Sequence, residues 1–141
     1  MGLIIDSSIL IADERGRFDL EAFFASRSEE DFFIAAITAS ELLHGVERAN
    51  TPERRAKRFQ NVEGILERIP VLDFGLHSAR RHAALWAHLE SVGQIIGAHD
   101  LMIAATALNE RYSVATLNGK EFSRVPGLVL ADVQAFVIAA K

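Results

Sequence analysis

The run Leu101-Met102-Ile103-Ala104-Ala105-Thr106-Ala107-Leu108 is apolar or small at almost every position. A helix built from it has no polar side to turn to water, so it must be covered all round, and the rest of the chain must supply the layers that cover it. Asp100 stands in the first turn of that helix, where packing gives no reason for a carboxylate. Unpaired N–H groups and the positive end of the dipole accept an anion at a helix start, and this alone accounts for a single acid. The juxtaposition occurs twice more, however. Asp6 ends the apolar segment Leu3-Ile4-Ile5, and Glu41 opens a helix after Phe32-Phe33-Ile34-Ala35-Ala36-Ile37.

A chain of 141 residues, half of them hydrophobic and only three of them proline, fits one compact domain that buries roughly two thirds of its unfolded surface. No apolar run approaches the ~20 residues needed to span a bilayer. No basic region precedes the first apolar segment, so a secretory signal is not expected. Met1-Gly2 lacks the rest of a myristoylation pattern, because Asp6 stands where Ser or Thr is required. The absence of cysteine excludes disulfides, thiolate metal sites and a cysteine nucleophile. The expectation is a cytoplasmic protein. A net charge of −4 disfavours general attraction to nucleic acid, so any contact with a polyanion must be local, through a basic patch or a cation held in an acidic pocket.

Short apolar strands alternate with helical patterns along the chain. Leu3-Ile4-Ile5, residues 32–37, Pro70-Val71-Leu72-Asp73, Ser113-Val114-Ala115-Thr116 and Leu128-Val129-Leu130 read as strands. Asn50-Thr51-Pro52-Glu53 is a helix-start signal with a capping residue, proline and an acid; the spacing of Phe59, Val62, Leu66 and Ile69 then predicts one buried stripe. Leu76, Ala79, Ala83 and Trp86 suggest a second stripe, with Trp86 in the core or at a dimer interface. Asp132 is placed to cap a last helix through Phe136 and Ile138. The fold class is α/β: a single domain over residues 1–141, with a central parallel sheet of about four to five strands and helices on both faces. Ligands in such sheets bind beyond the carboxyl ends of the strands, and Asp6, Glu41 and Asn118 all follow predicted strands.

Three carboxylates in one small cleft repel one another and persist together only around a compensating cation. Ligation by oxygen alone selects a hard ion, Mg²⁺ or Mn²⁺, which polarises a phosphodiester and activates water. Spacing alone does not bring the three together. Four motifs in order nevertheless resemble one family from end to end: Ile4-Ile5-Asp6-Ser7-Ser8; Thr38-Ala39-Ser40-Glu41-Leu42-Leu43-His44-Gly45-Val46; Ala98-His99-Asp100-Leu101-Met102-Ile103-Ala104-Ala105-Thr106; and Ala115-Thr116-Leu117-Asn118-Gly119-Lys120-Glu121-Phe122, followed by Val125-Pro126-Gly127-Leu128. The sequence is similar to the PIN-domain ribonucleases, specifically the VapC-type toxins of prokaryotic toxin–antitoxin pairs.

The resemblance implies a Mg²⁺- or Mn²⁺-dependent endoribonuclease that cuts tRNA or ribosomal RNA and inhibits translation, a VapB-like antitoxin as partner, and a homodimer. It makes Asp6, Glu41 and Asp100 the catalytic acids and metal ligands, with Ser7 orienting Asp6 by hydrogen bonding. Thr116, Asn118 and Glu121 support them; Asn118 occupies the place where many members have a fourth acid, and Glu121 is the alternative fourth ligand. Two other readings compete. A receiver-like phosphoacceptor domain would use Asp6, Asp73 and Lys120 but leaves Glu41 and Asp100 unexplained. A non-catalytic PIN-like binding module would not need the three acids. His44 and His99 read as cleft-edge residues rather than catalytic ones, and His77, His82 and His88 as surface positions. The basic cluster Arg54, Arg55, Lys57 and Arg58 reads as a solvated helix face, with contact to RNA or to an acidic partner as the functional alternative.

Overall fold

The computed structural model describes residues 1–139; the last two residues of the 141-residue domain reading lie outside the described residues. Strands β1 (Gly2–Ile5), β2 (Asp31–Ala35), β3 (Val71–Leu72) and β4 (Ser113–Ala115) form one parallel sheet in the order β3-β2-β1-β4. β1 lies in the middle and is buried along its whole length, with Leu3 and Ile5 on one face and Ile4 on the other. That two-sided burial is why its sequence is a continuous apolar run rather than an alternation.

Helices α1 (Ser7–Glu14), α2 (Leu20–Ser26) and α4 (Pro52–Arg68) cover the face of Leu3 and Ile5. α5 (Leu76–Ser91), α6 (Ala98–Glu110) and the short α7 (Gly119–Phe122) cover the other. α3 (Ala36–Glu47) touches both cores, through Leu42 on one side and Ile37 on the other. α6 is the expected all-round-buried helix: Leu101, Ile103, Ala104, Ala105, Thr106 and Ala107 are all buried, between α5 and α3.

Several boundaries differ from the sequence reading. β2 ends at Ala35, and Ala36 and Ile37 already belong to α3, so Glu41 sits in the second turn of the helix rather than at its opening. The apolar run continued because the first turn of α3 is packed as well, with Thr38 fully buried there. Phe59 is exposed despite its place on the α4 stripe, because the N-terminal half of α4 meets α3 through polar side chains, Arg55 to Glu47 and Arg58 to Gly45, and residues 52–61 are all exposed. On α5 the buried residues are Ser78, Leu85 and Leu89, which leaves Leu76 and Trp86 in solvent. Residues 128–130 contribute a single bridge, Val114 to Leu130, rather than a fifth strand. The last helix is one turn of 3₁₀, Gln134–Phe136, after which Val137 bridges back to Phe18.

Candidate active site

The parallel register sets Ile5 beside Ala115, and the Asp6 N–H donates to the Ala115 carbonyl at 2.9 Å. Asp6 and Thr116 therefore leave neighbouring strands side by side. The Asp6 carboxylate is buried, and its Oδ2 accepts from the Thr116 hydroxyl at 2.8 Å and the Ser8 hydroxyl at 2.7 Å. Those hydroxyls are themselves fixed: Ser8 Oγ accepts the Leu117 N–H and Thr116 Oγ1 accepts the Asn118 N–H. Ser8 thus takes the orienting role that the sequence reading assigned to Ser7. Asp6 is the residue before α1, and the hydroxyl two places on reaches its carboxylate, whereas Ser7 lines a cavity with Glu41. Ser8 was missed although its distance of two residues from Asp6 is a usual span for a local side-chain contact at a helix start.

Asp100 enters from the first turn of α6. The Asn118 amide donates to Asp100 Oδ2 at 3.0 Å and to Glu121 Oε2 at 2.9 Å, so a neutral group separates two carboxylates. The other Glu121 oxygen accepts the N–H of Gly97, the residue before α6. These donors, the Asn118 amide first and the Gly97 N–H second, hold the Glu121 carboxyl below its ordinary range. Glu121 is therefore occupied with the start of α6. Asp100 behaves oppositely. Burial, then the charges of Asp6, Glu121 and Glu41, push its carboxyl up to about 6 against the relief that Asn118 provides. Hydrogen bonds run from Asp6 through Thr116 and Asn118 to Asp100, and Glu41 reaches His99, the residue before Asp100, so the acids border one crevice.

Glu41 closes the crevice from α3. Its Oε2 lies 3.3 Å from His99 Nδ1, while Oε1 is buried with no hydrogen-bond partner. A buried carboxylate oxygen without a donor costs free energy unless something positive satisfies it. The donors are oxygens, the crevice concentrates negative charge, and one acceptor is free, which fits a hard divalent cation. Among the described residues no three acidic, histidine or cysteine side chains converge closely enough to enclose an ion. The arrangement suits a cation held loosely by carboxylates with several waters completing its shell, rather than an all-protein cage. His44 faces a cavity beside Glu41, and His82 packs against Phe74 and Trp86.

The sequence matches the PIN domain family over residues 3–128. It is 37% identical over 135 residues to Ribonuclease VapC1 of Rickettsia felis, covering 96% of this chain and 98% of that one. The chain belongs to the PIN-domain family, among the VapC ribonucleases. It is also 33% identical over 121 residues to the tRNA(fMet)-specific endonuclease VapC of Shigella flexneri, covering 86% of this chain and 84% of that protein. Its fold resembles the crystal structure of VapBC2 from Rickettsia felis bound to a DNA fragment from their promoter, with a TM-score of 0.84, 26% identity and coverage of 93% of this chain and 98% of that one. This membership removes the receiver reading. The sheet order β3-β2-β1-β4 is not the 2-1-3-4-5 order of that fold, and Asp73 is an exposed residue beyond edge strand β3.

Proposed function

We propose that this PIN domain is a Mg²⁺- or Mn²⁺-dependent endoribonuclease, the toxin of a VapBC-type pair, which inhibits translation by hydrolysing phosphodiester bonds in tRNA or ribosomal RNA. The observation that carries the reading is the crevice itself: Asp6 pinned by two hydroxyls, Asp100 with its carboxyl raised by burial and by like charges, and Glu41 with a buried unpaired oxygen. Asp6, Asp100 and Glu41 are the residues that would hold the cation. When bound, the ion supplies Lewis-acid polarisation of the phosphodiester and a lower pKa for the attacking water. The residues themselves do the rest. Ser8 and Thr116 keep Asp6 in one rotamer, and Asn118 keeps Asp100 and Glu121 from repelling each other apart. One of the carboxylates of Asp6, Glu41 and Asp100 would assist removal of the proton from the attacking water.

The partner is a VapB-like antitoxin, a reading supported by the resemblance to the VapBC2 complex. The name of the Shigella relative supports a tRNA as substrate. A cytoplasmic homodimer completes the proposal; no described helix is long and apolar enough to cross a membrane. The test is cleavage of total RNA in a Mn²⁺ titration, with 5′ ends mapped. Wild type is expected to give discrete cuts that vanish with chelator and in Asp100→Asn. Cuts that persist in both, or RNA that stays intact at every Mn²⁺ concentration while RNA is still bound, would leave a PIN-like binding module as the better description.

A further inference from the structure

Arginines from three elements surround a cavity beside the acidic crevice. Arg15 follows α1, Arg48 ends α3, and Arg54 and Arg58 lie in the first two turns of α4; with His44 and Glu41 they line a space of about 480 Å³. Among the described residues none of these arginines has a carboxylate within ion-pair distance. Their side-chain contacts are with neutral acceptors: Arg54 Nη1 donates to Asn50 Oδ1 at 2.9 Å, and Arg58 Nη1 to the Gly45 carbonyl at 3.0 Å. Arg55, which does not line the cavity, makes a two-pronged pair with Glu47. Four unpaired arginines thus converge on one cavity, while their neighbour Arg55 is paired with Glu47.

Gathering like charges in a protein of net charge −4 costs free energy that an anion recovers. Arg54 adds to the cost, because the first turn of a helix disfavours a cation. The one carboxylate on the cavity wall is Glu41, whose Oε2 lies 3.3 Å from Nδ1 of His99, the residue before Asp100. A polyanion seated on the arginines thus continues directly into the acidic crevice. We propose that Arg15, Arg48, Arg54 and Arg58 bind the RNA phosphate backbone on one side of the bond that is cut and guide the strand past Glu41. This rests on the ribonuclease reading. RNA is favoured over an acidic peptide because the cavity offers charge and polar groups with little apolar wall. A peptide with side chains to bury finds Ile11, Leu42 and Val62 in the adjoining cavity instead.

The experiment measures binding of a fluorescent RNA oligonucleotide, in chelator so that it is not cut, from about 50 to 200 mM salt. Arg48→Gln, Arg54→Gln and Arg58→Gln are each expected to lower the slope of log affinity against log salt by about 0.7, which weakens binding about fivefold at 0.1 M. The matching Arg→Lys proteins keep the slope, and Arg80→Gln, at an exposed position of α5, leaves affinity unchanged. Arg58 also holds Gly45, so Arg48→Gln and Arg54→Gln carry the test if Arg58→Gln fails to fold. Unaltered slopes in folded variants, with wild type cutting RNA, overturn the arginine track and spare the ribonuclease reading. Loss of binding to a poly-glutamate peptide with RNA slopes intact overturns it in favour of an acidic partner. A wild type that neither binds nor cuts RNA overturns both.

Discussion

Asp6 and Glu41 deliver carboxylates to the same crevice by opposite means. Asp6 leaves the central strand and is held by two hydroxyls that are themselves anchored to backbone N–H groups. Glu41 stands in the second turn of a helix, one oxygen near His99 and the other buried and unpaired. The strand side is finished before any ligand arrives; the helix side is not. An unmet buried acceptor costs on the order of 1–3 kcal/mol, so Glu41 weakens the fold where Asp6 supports it. The crevice is rigid on its strand side and leaves an acceptor unmet on its helix side, where the proposed cation would bind.

Substitution separates the two sides. Asp6→Ala and Glu41→Gln are both expected to lower RNA cleavage by about 100-fold or more, since each removes a charge that would hold the ion. Their stabilities should diverge. Asp6→Ala strands the Ser8 and Thr116 hydroxyls and loses about 1–3 kcal/mol in urea unfolding with chelator present. Glu41→Gln leaves a neutral oxygen where a charged one lacked a partner, and is expected to be as stable as wild type or more so. Equal destabilisation by both would erase the distinction between the sides.

The central contrast was only half legible in the sequence. Asp6, Glu41 and Asp100 stood out because each interrupts an apolar context that has no packing use for a charge. The parallel layered fold was legible too, since strands buried on both faces read as unbroken apolar runs. The lost detail depends on contacts between distant segments. Ser7 and Ser8 are chemically identical, and only the approach of Thr116 from β4 shows which of them completes the shell around Asp6. The stripe through Phe59 has correct helical spacing, yet that half of α4 meets α3 through Arg55 and Arg58 and leaves Phe59 exposed. Glu121 looked like a spare ligand because the Gly97 N–H it accepts lies on another element.

Asp100 joins the two sides, and its titration sharpens the comparison. With a folded-state pKa of about 6 against an ordinary 3.8, the folded protein binds more protons than the unfolded chain between those values. Apo stability should accordingly fall as pH rises through that window and level off above it. Asp100→Asn should flatten that fall. Mn²⁺ should offset the repulsion in wild type, by about 2.7 kcal/mol at a hundredfold excess over its dissociation constant, and do little for Asp100→Asn. Thermal melts from pH 4 to 7, with chelator and with Mn²⁺, check both statements. A wild type that grows more stable across that window in chelator would mean the acids do not share a crevice.

Asn118 should give the smallest effect, because it touches Asp100 without adding charge. Its amide donates to Asp100 and to Glu121, and Glu121 in turn receives the N–H at the start of α6. Asn118→Ala removes two hydrogen bonds to partly exposed carboxylates, worth about 1–2 kcal/mol together once water replaces them. The corresponding loss of cleavage is about tenfold, well short of that for Asp6→Ala. Asn118→Asp is the informative partner. Without metal it sets three carboxylates side by side, so the melting temperature in chelator should drop below that of Asn118→Ala. With Mn²⁺ the added charge becomes a further ligand, and the order should reverse. If Asn118→Asp remains the less stable of the two at saturating Mn²⁺, Asn118 serves only to hold α6 against α7.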